Sequence, residues 1–451
     1  MARKPYQKPE IIPLKNGRMN KFGLSPYYSR KVRKDIEGVP IDELVERFGS
    51  PLFVFSEARI RENIQQARTA FAHHYPKVSF GWSYKTNYLD AICAIFHQEG
   101  SLAEVVSPME YEKARRLGVA GENILFNGPH KSLVALERAA KEGAKIHIDH
   151  FDEIDDLLLV AEKLGQEIPV ALRVNLNAGI HPQWSRFGFN LESGQALNAA
   201  KRVSVPGKLK LVGLHSHIGT YILEPDAYGE AARKLAAFSG ALFDEIGVEI
   251  GYLDLGGGFP SLSRLKGALL PPDVSVPEIE EFAEALCKGL REGLRPGHTP
   301  HLYLESGRAL IDDAGWLIST VHAAKRLVDG RRAYVMDAGV NLLYTSTWYQ
   351  YGIELDREVQ GVGEPAVLNG PLCMNIDVVD ESAVLPPLER GMRLIFGPVG
   401  AYNVTQWMQF IEYRPAVVLI DQKGEAQVIR EGEDLSDMVR RECVPDHLKL
   451  A

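Results

Sequence analysis

The stretch Val78–Phe96, "VSFGWSYKTNYLDAICAIF", decides how the chain is read. Its first seven residues are aromatic, β-branched or small, the composition of a strand. From Tyr88 onward the apolar residues Leu89, Ile92, Cys93 and Phe96 recur at helical spacing. Lys85 therefore stands at the C-terminal end of a strand, where a helix is about to begin. Taken alone, such a lysine is a solvated loop residue. What surrounds it in the rest of the chain gives it a second reading.

Between Pro51 and Gly307 strand-like and helix-like segments alternate. The strand candidates are "VSFGWSY", "LAEVV", "NILFN", "KIHID", "PVALRVN", "LKLVGLHSHIG", "GYLDLGGG" and "HLYLES", about eight, the number that closes a parallel (β/α) barrel. The helices between them carry start and stop signals. "SPMEYEKARRLG" has Ser107 as N-cap, Pro108 at the first helical position, Glu110 closing a capping box and Gly118 as the stop. "SVPEIEEFAEALCKGLREGL" is expected to open on a box of Ser275 with Glu278 and to bury Ile279, Phe282, Leu286 and Leu290. The segment from Ser261 to Val274 reads as a loop. After Arg308 the runs "WLISTVHAAKRL", "RAYVMDAGV", "RLIFGPVGAY" and "RPAVVLIDQKGEAQVIREGE" look like strands, with a turn at Asp421–Gly424. The expected fold is thus α/β: an N-terminal (β/α)8 TIM-type barrel followed by a C-terminal β-barrel or β-sandwich domain. The expected boundaries are a basic arm with the first strands of the β-domain in residues 1–44, the barrel in 45–310 and the β-domain in 311–451.

At 451 residues the chain fits two domains, and 45% hydrophobic with 24% charged residues is a globular composition. A net charge of −8 argues against nucleic acid as the main partner. No apolar run reaches membrane-spanning length, and the N-terminus lacks the apolar core of a signal peptide. Four cysteines (Cys93, Cys287, Cys373, Cys443) lie far apart, which indicates neither a disulfide framework nor a zinc site. The expectation is a cytoplasmic, reduced protein without a structural metal. Residues 1–34 carry ten Lys/Arg against the single acid Glu10, and read as a basic arm lying on an acidic body or on a second subunit.

In a (β/α) barrel the chemistry gathers at the C-terminal ends of the strands. There the sequence places Lys85, Asn127, Arg173, "HSHIGT" (His215 to Thr220), the glycines Gly256, Gly257 and Gly258 of "DLGGGF", and "ESGR" (Glu305 to Arg308). Each has a plain structural reading: a tight turn for the glycines, a core histidine for His217, an ion pair for Glu305. Together they suit one cofactor, pyridoxal 5′-phosphate. A lysine forms its Schiff base, glycines let backbone N–H groups converge on its phosphate, and a carboxylate keeps its pyridine nitrogen protonated.

These motifs resemble the fold-type III pyridoxal phosphate-dependent decarboxylases, the group of diaminopimelate, ornithine and arginine decarboxylases. The likeness runs from about Val39 to Val439 through "YKTN", "HSHIGT", "LDLGGGFP", "ESGR", "GPLC" and "GAYN" in family order, nearest to diaminopimelate decarboxylase-like members. It implies that Lys85 holds the cofactor and that His217 stacks on its ring. It further implies that Gly256 to Gly258, Thr220 and Tyr402 hold the phosphate and Glu305 pairs with the pyridinium nitrogen. Arg308 would meet the phosphate or a substrate carboxylate. Cys373, from the second subunit of a homodimer, would be the acid that protonates the reacting carbon. Catalysis would then rest on Lys85, Cys373 and His217, and Arg308, Met374, Thr345 and Arg173 would face the substrate.

The chain also departs from the family pattern. Ser306 replaces the usual proline between glutamate and glycine, and Thr220 replaces a serine. Met374 follows the cysteine where many members carry an acid for the substrate's distal ammonium. Thr345 falls where diaminopimelate decarboxylases have an arginine for a substrate carboxylate. With both anchors altered, the expected activity is α-decarboxylation of an amino acid or a conjugate (citrate-linked or carrier-protein-bound) in a specialised pathway such as siderophore or antibiotic synthesis. The alternatives are a true diaminopimelate decarboxylase of lysine biosynthesis, a pyridoxal phosphate-dependent racemase and a non-catalytic cofactor-binding protein. The cysteine of "GPLC" favours decarboxylation over racemisation, and the β-domain sets the chain apart from single-barrel cofactor carriers.

Overall fold

The computed structural model describes residues 31–204 and 207–449, together with a short pairing of Met19–Asn20 with Gly23–Leu24. Most of the basic arm expected at the N-terminus lies outside the described residues. All eight expected barrel strands form: Val78–Ser83, Leu102–Val105, Ile124–Phe126, Lys145–Ile148, Ile168–Asn175, Leu209–His215, Tyr252–Asp254 and His301–Ser306. Each runs parallel to the next, and Glu305 of the eighth pairs with Gly81 of the first, which closes the sheet. The two-residue period of a strand sorts the side chains. In the fourth strand Ile146 and Ile148 join the hydrophobic core, whereas His147 between them hydrogen bonds to Asn127 and Tyr252.

The helices start largely where their caps predict. Ser107 Oγ accepts the Glu110 N–H at 3.2 Å, and the Pro108–Arg116 helix stops before Gly118 at φ +87°. Glu110 reaches back to the Val106 N–H at 2.7 Å, one residue earlier than a standard box. The box expected at Ser275 moves. Ser275 closes a four-residue helix, Pro272–Ser275, and the long helix is Ile279–Gly293. Its cap is Glu278, whose N–H donates to Glu281 at 2.9 Å. The reason is local: Glu278 and Glu281 form the two halves of a reciprocal capping box, and Pro277 breaks the helix before them. Within the expected Ser261–Val274 loop, Arg264–Leu265 pairs with Tyr349–Gln350.

A second mixed sheet of nine strands follows, and it corrects the expected boundary at residue 45. Leu52–Ser56, fully buried, pairs antiparallel with Gly315–Ile318 and parallel with Val417–Ile420. It is an interior strand of the second sheet, so the barrel begins after Ser56. Asp35–Ile36 and Val39–Pro40 pair only with each other, while Ile41 and Leu44 of the following helix pack on Ile318, Ile395 and Val418 of that sheet. The strand Gly315–Arg326 pairs with Leu52–Ser56 and Arg393–Gly397 through its first part and with Arg332–Met336 through its last. The turn at Asp421–Gly424 forms as expected, with the Gly424 N–H donating to the Asp421 carbonyl at 2.9 Å.

Candidate active site

Lys85 lies in the turn that ends the first barrel strand, closed by the Thr86 N–H on the Ser83 carbonyl at 3.0 Å. The β-domain grips this turn from the other side. Thr405 Oγ1 donates to the Lys85 carbonyl at 2.9 Å, and the Tyr402 N–H to that of Thr86 at 2.8 Å. The lysine backbone is thereby pinned between the two units. Its Nζ pairs with Glu104, a fully buried carboxylate from the second strand. Burial alone would lower the lysine pKa, but the carboxylates of Glu104 and Glu305 outweigh it and raise the value above the ordinary one.

Lys85 opens onto a cavity of about 650 Å³ at the C-terminal end of the barrel. Glu305, 3% exposed, lies at its floor, with Asn127 Nδ2 2.5 Å from one oxygen and His215 Nε2 3.2 Å from the other. Burial pushes the Asp254 carboxyl well above its usual range, and Glu305 beside it pushes in the same direction. Burial and the Arg173 cation push His215 well below its ordinary pKa. Burial thus disfavours the charged form of both His215 and Asp254 beside Glu305. The His217 ring stacks on Trp184, centroids 5.5 Å apart and planes 10° from parallel. Burial, with Lys85 and Arg173 nearby, holds this ring neutral as well.

The glycine run is shaped by close backbone approach. A Cβ on Gly257 would stand 2.0 Å from the Glu305 carbonyl oxygen, and one on Gly258 2.1 Å from that of Gly219. Gly256 and Gly258 also have φ of +60° and +91°. Arg308 is held among three rings, 4.7 Å from Tyr349, 4.8 Å from Tyr402 and 5.8 Å from Tyr221. Its Nε is buried and has no hydrogen-bond partner among the described residues. An arginine with a donor to spare, a close-packed glycine run, and a lysine and a buried carboxylate lining one cavity fit pyridoxal phosphate.

Of the residues expected from the sequence, Lys85, His217, Thr220, Gly258 and Glu305 line the cavity, as do Arg308, Tyr402, Arg173 and Thr345. Gly256 and Gly257 lie beneath it. The Thr345 hydroxyl is engaged by Tyr351 at 2.5 Å and Asn403 at 3.1 Å. Arg173 leans on Asp149 at 3.7 Å and over the Phe187 ring. Cys373 and Met374 do not line the cavity of their own chain. Cys373 is exposed, on a loop fixed by Asp377, which accepts the Val340 and Leu372 N–H groups at 2.8 and 2.7 Å.

Sequence reasoning missed Glu104, His147 and Trp184. The first two carried a signal: a polar residue at the alternating position of an otherwise apolar barrel strand. Trp184, in an irregular segment, carried none.

The profile of the family described as "Pyridoxal-dependent decarboxylase, pyridoxal binding domain" matches residues 57–312. A diaminopimelate decarboxylase of Methanocaldococcus jannaschii is 31% identical over 430 residues, covering 92% of this chain and 95% of the relative. One from Actinosynnema pretiosum subsp. auranticum is 32% identical over 443 residues, covering 93% and 95%. Among solved structures, the diaminopimelate decarboxylase of M. jannaschii in co-complex with L-lysine superposes with a TM-score of 0.84 at 28% identity, over 94% of this chain and all of that one.

Proposed function

Since the chain belongs to the pyridoxal-dependent decarboxylases, we propose that it removes the α-carboxylate of an amino acid of the diaminopimelate type at the cavity around Lys85. The observation that carries the reading is one cavity lined by Lys85, with its partner Glu104, and by Glu305, Arg308 and Gly258. Pyridoxal phosphate, when bound, supplies a pyridinium ring that takes up the electron pair left at Cα as CO2 departs.

The chain's own groups do the rest. Lys85 Nζ would be the attachment point, and Glu104, in contact with it, would take up the proton it gives up. Glu305, steadied by Asn127 and His215, would pair with the pyridine nitrogen. His217, whose ring lines the cavity, would stack on the cofactor ring. Gly256 to Gly258, Thr220 and Tyr402 hold the phosphate, and Arg308 binds phosphate or α-carboxylate. Cys373 of a second copy supplies the proton that replaces CO2 at Cα, so that the working unit is a homodimer.

Relatives covering more than nine-tenths of the chain carry the name diaminopimelate decarboxylase, which supports that substrate. One observation favours a second reading, an analogue or conjugate of specialised metabolism. Thr345 offers no charge, and its hydroxyl is engaged within the protein. The deciding experiment is CO2 release from meso-diaminopimelate, L- and D-lysine, ornithine, arginine and citrate–diamino-acid adducts. Rapid turnover of meso-diaminopimelate supports the first reading. Turnover of a conjugate alone supports the second, and CO2 from none of them rejects both.

A further inference from the structure

Two buried carboxylates of the site meet on a single amide. Asn127 Nδ2 donates to Glu104 Oε1 at 3.0 Å and to Glu305 Oε1 at 2.5 Å, and all three side chains are at most 3% exposed. Two anions so close repel unless donors stand between them, and an amide nitrogen carries two. We propose that Asn127, oriented by His147 and Tyr252, is a positioning residue that holds the counter-ion of Lys85 and the carboxylate facing the pyridine nitrogen as one unit. This rests on the cofactor reading above.

The orientation of the amide is the crux. Turned over, it would set Oδ1 against two carboxylates. His147 prevents this. Its Nδ1 lies 2.6 Å from Asn127 Oδ1, an atom that can only accept, so Nδ1 carries the proton. Its Nε2 lies 3.1 Å from the Tyr252 hydroxyl. Burial pushes the His147 pKa well below the ordinary value and the neighbouring His215 adds to it, so the ring is neutral and Nε2 accepts. The donors therefore run one way, from Tyr252 to His147 to Asn127 and on to both carboxylates. Gly213 makes room for the far end. A Cβ there would stand 2.2 Å from Tyr252 Cζ. His147 and Tyr252 do not line the cavity. They reach it through Asn127 and through His215, on which the His147 ring stacks with centroids 4.9 Å apart.

Losing the bridge removes a donor from each carboxylate and lets Glu305 move away from the pyridine nitrogen. The test compares Asn127→Ala, His147→Phe and Tyr252→Phe in the full chain. Cofactor-stripped protein is titrated with pyridoxal phosphate, the absorbance of the Lys85-bound cofactor is followed, and melting of the stripped protein is recorded in parallel. The dissociation constant is expected to rise by about ten- to a hundredfold for Asn127→Ala, as for losing a hydrogen bond to a charged group. A smaller rise is expected for His147→Phe and the smallest for Tyr252→Phe, with a shifted absorbance band in the first two. A merely structural role would lower the melting temperature and leave affinity and spectrum alone. Wild-type affinity and spectrum in a folded Asn127→Ala protein overturn the proposal. If that variant does not fold, the same result in His147→Phe does so. A wild-type chain that takes up no pyridoxal phosphate overturns the cofactor reading and this inference with it.

Discussion

At the floor of the cavity charged and polar groups meet one another: Lys85 with Glu104, Glu305 with Asn127 and His215, Arg173 with Asp149. At its rim Trp184 and Trp348 are 36% and 48% exposed, and the exposed Cys373 lies on a loop outside the cavity of its own chain. The floor is dry, so altering one partner leaves another buried without compensation. The rim can exchange lost hydrogen bonds with water. A protein built this way keeps its cofactor chemistry in the interior and can change what it acts on at the edge.

The severest challenge to that contrast is Lys85→Ala. It should abolish the borohydride-fixed cofactor adduct and activity together, as read by peptide mapping and CO2 release. Finding the reduced cofactor on another lysine would falsify the assignment. Next comes Glu305→Gln, which keeps the shape of the floor and removes its charge. We expect the variant to bind pyridoxal phosphate and to lose about a hundredfold in kcat, the equivalent of about 3 kcal/mol of transition-state stabilisation. Full activity would make Glu305 a structural residue and blur the line between floor and rim.

The rim is probed across subunits. Inactive Lys85→Ala mixed with inactive Cys373→Ala should regain roughly a quarter of wild-type activity if the chains exchange freely, because half the dimers are mixed and each holds one intact site. No recovery between exchanging chains would place Cys373 outside the reaction.

The smallest effect concerns stability just behind the floor. Burial pushes the Glu110 carboxyl up to about 7; the Val106 N–H pulls it down and the neighbouring Glu104 pushes it up. The folded state therefore keeps a proton that the unfolded chain releases at the ordinary value of 4.5. Its stabilising contribution is complete below pH 4.5 and is lost as pH rises to about 7. The loss is on the order of 3 kcal/mol. Urea unfolding of Glu110→Gln from pH 5 to 8 should show a flatter profile than wild type by about that amount. Parallel profiles would mean that Glu110 is ionised throughout.

Local pattern carried a good part of this protein. The alternation of period-two and period-3.6 segments gave the eight barrel strands, because burial of one face imposes that period wherever the strand goes. Lys85, the glycine run and Glu305 were legible because barrel strands present their C-terminal ends to one cavity. The family likeness rested on short motifs in order, and the match over residues 57–312 bears it out. Other features had no local signature. Leu52–Ser56 is four apolar residues and a serine, and nothing in them says which of two sheets they complete; only pairing with Gly315–Ile318 and Val417–Ile420 decides it. Glu104, Asn127 and His147 come from, or just after, three successive strands, and their contacts depend on how the closed barrel staggers those strands. What the sequence determined by itself was which elements form and which of their ends line the cavity, since these follow from spacing and side-chain chemistry along a few residues. Which carboxylate stands beside Lys85, and which amide joins it to Glu305, was decided by tertiary structure, because a hydrogen bond between strands is set to within a few tenths of an ångström by a register that no single strand contains.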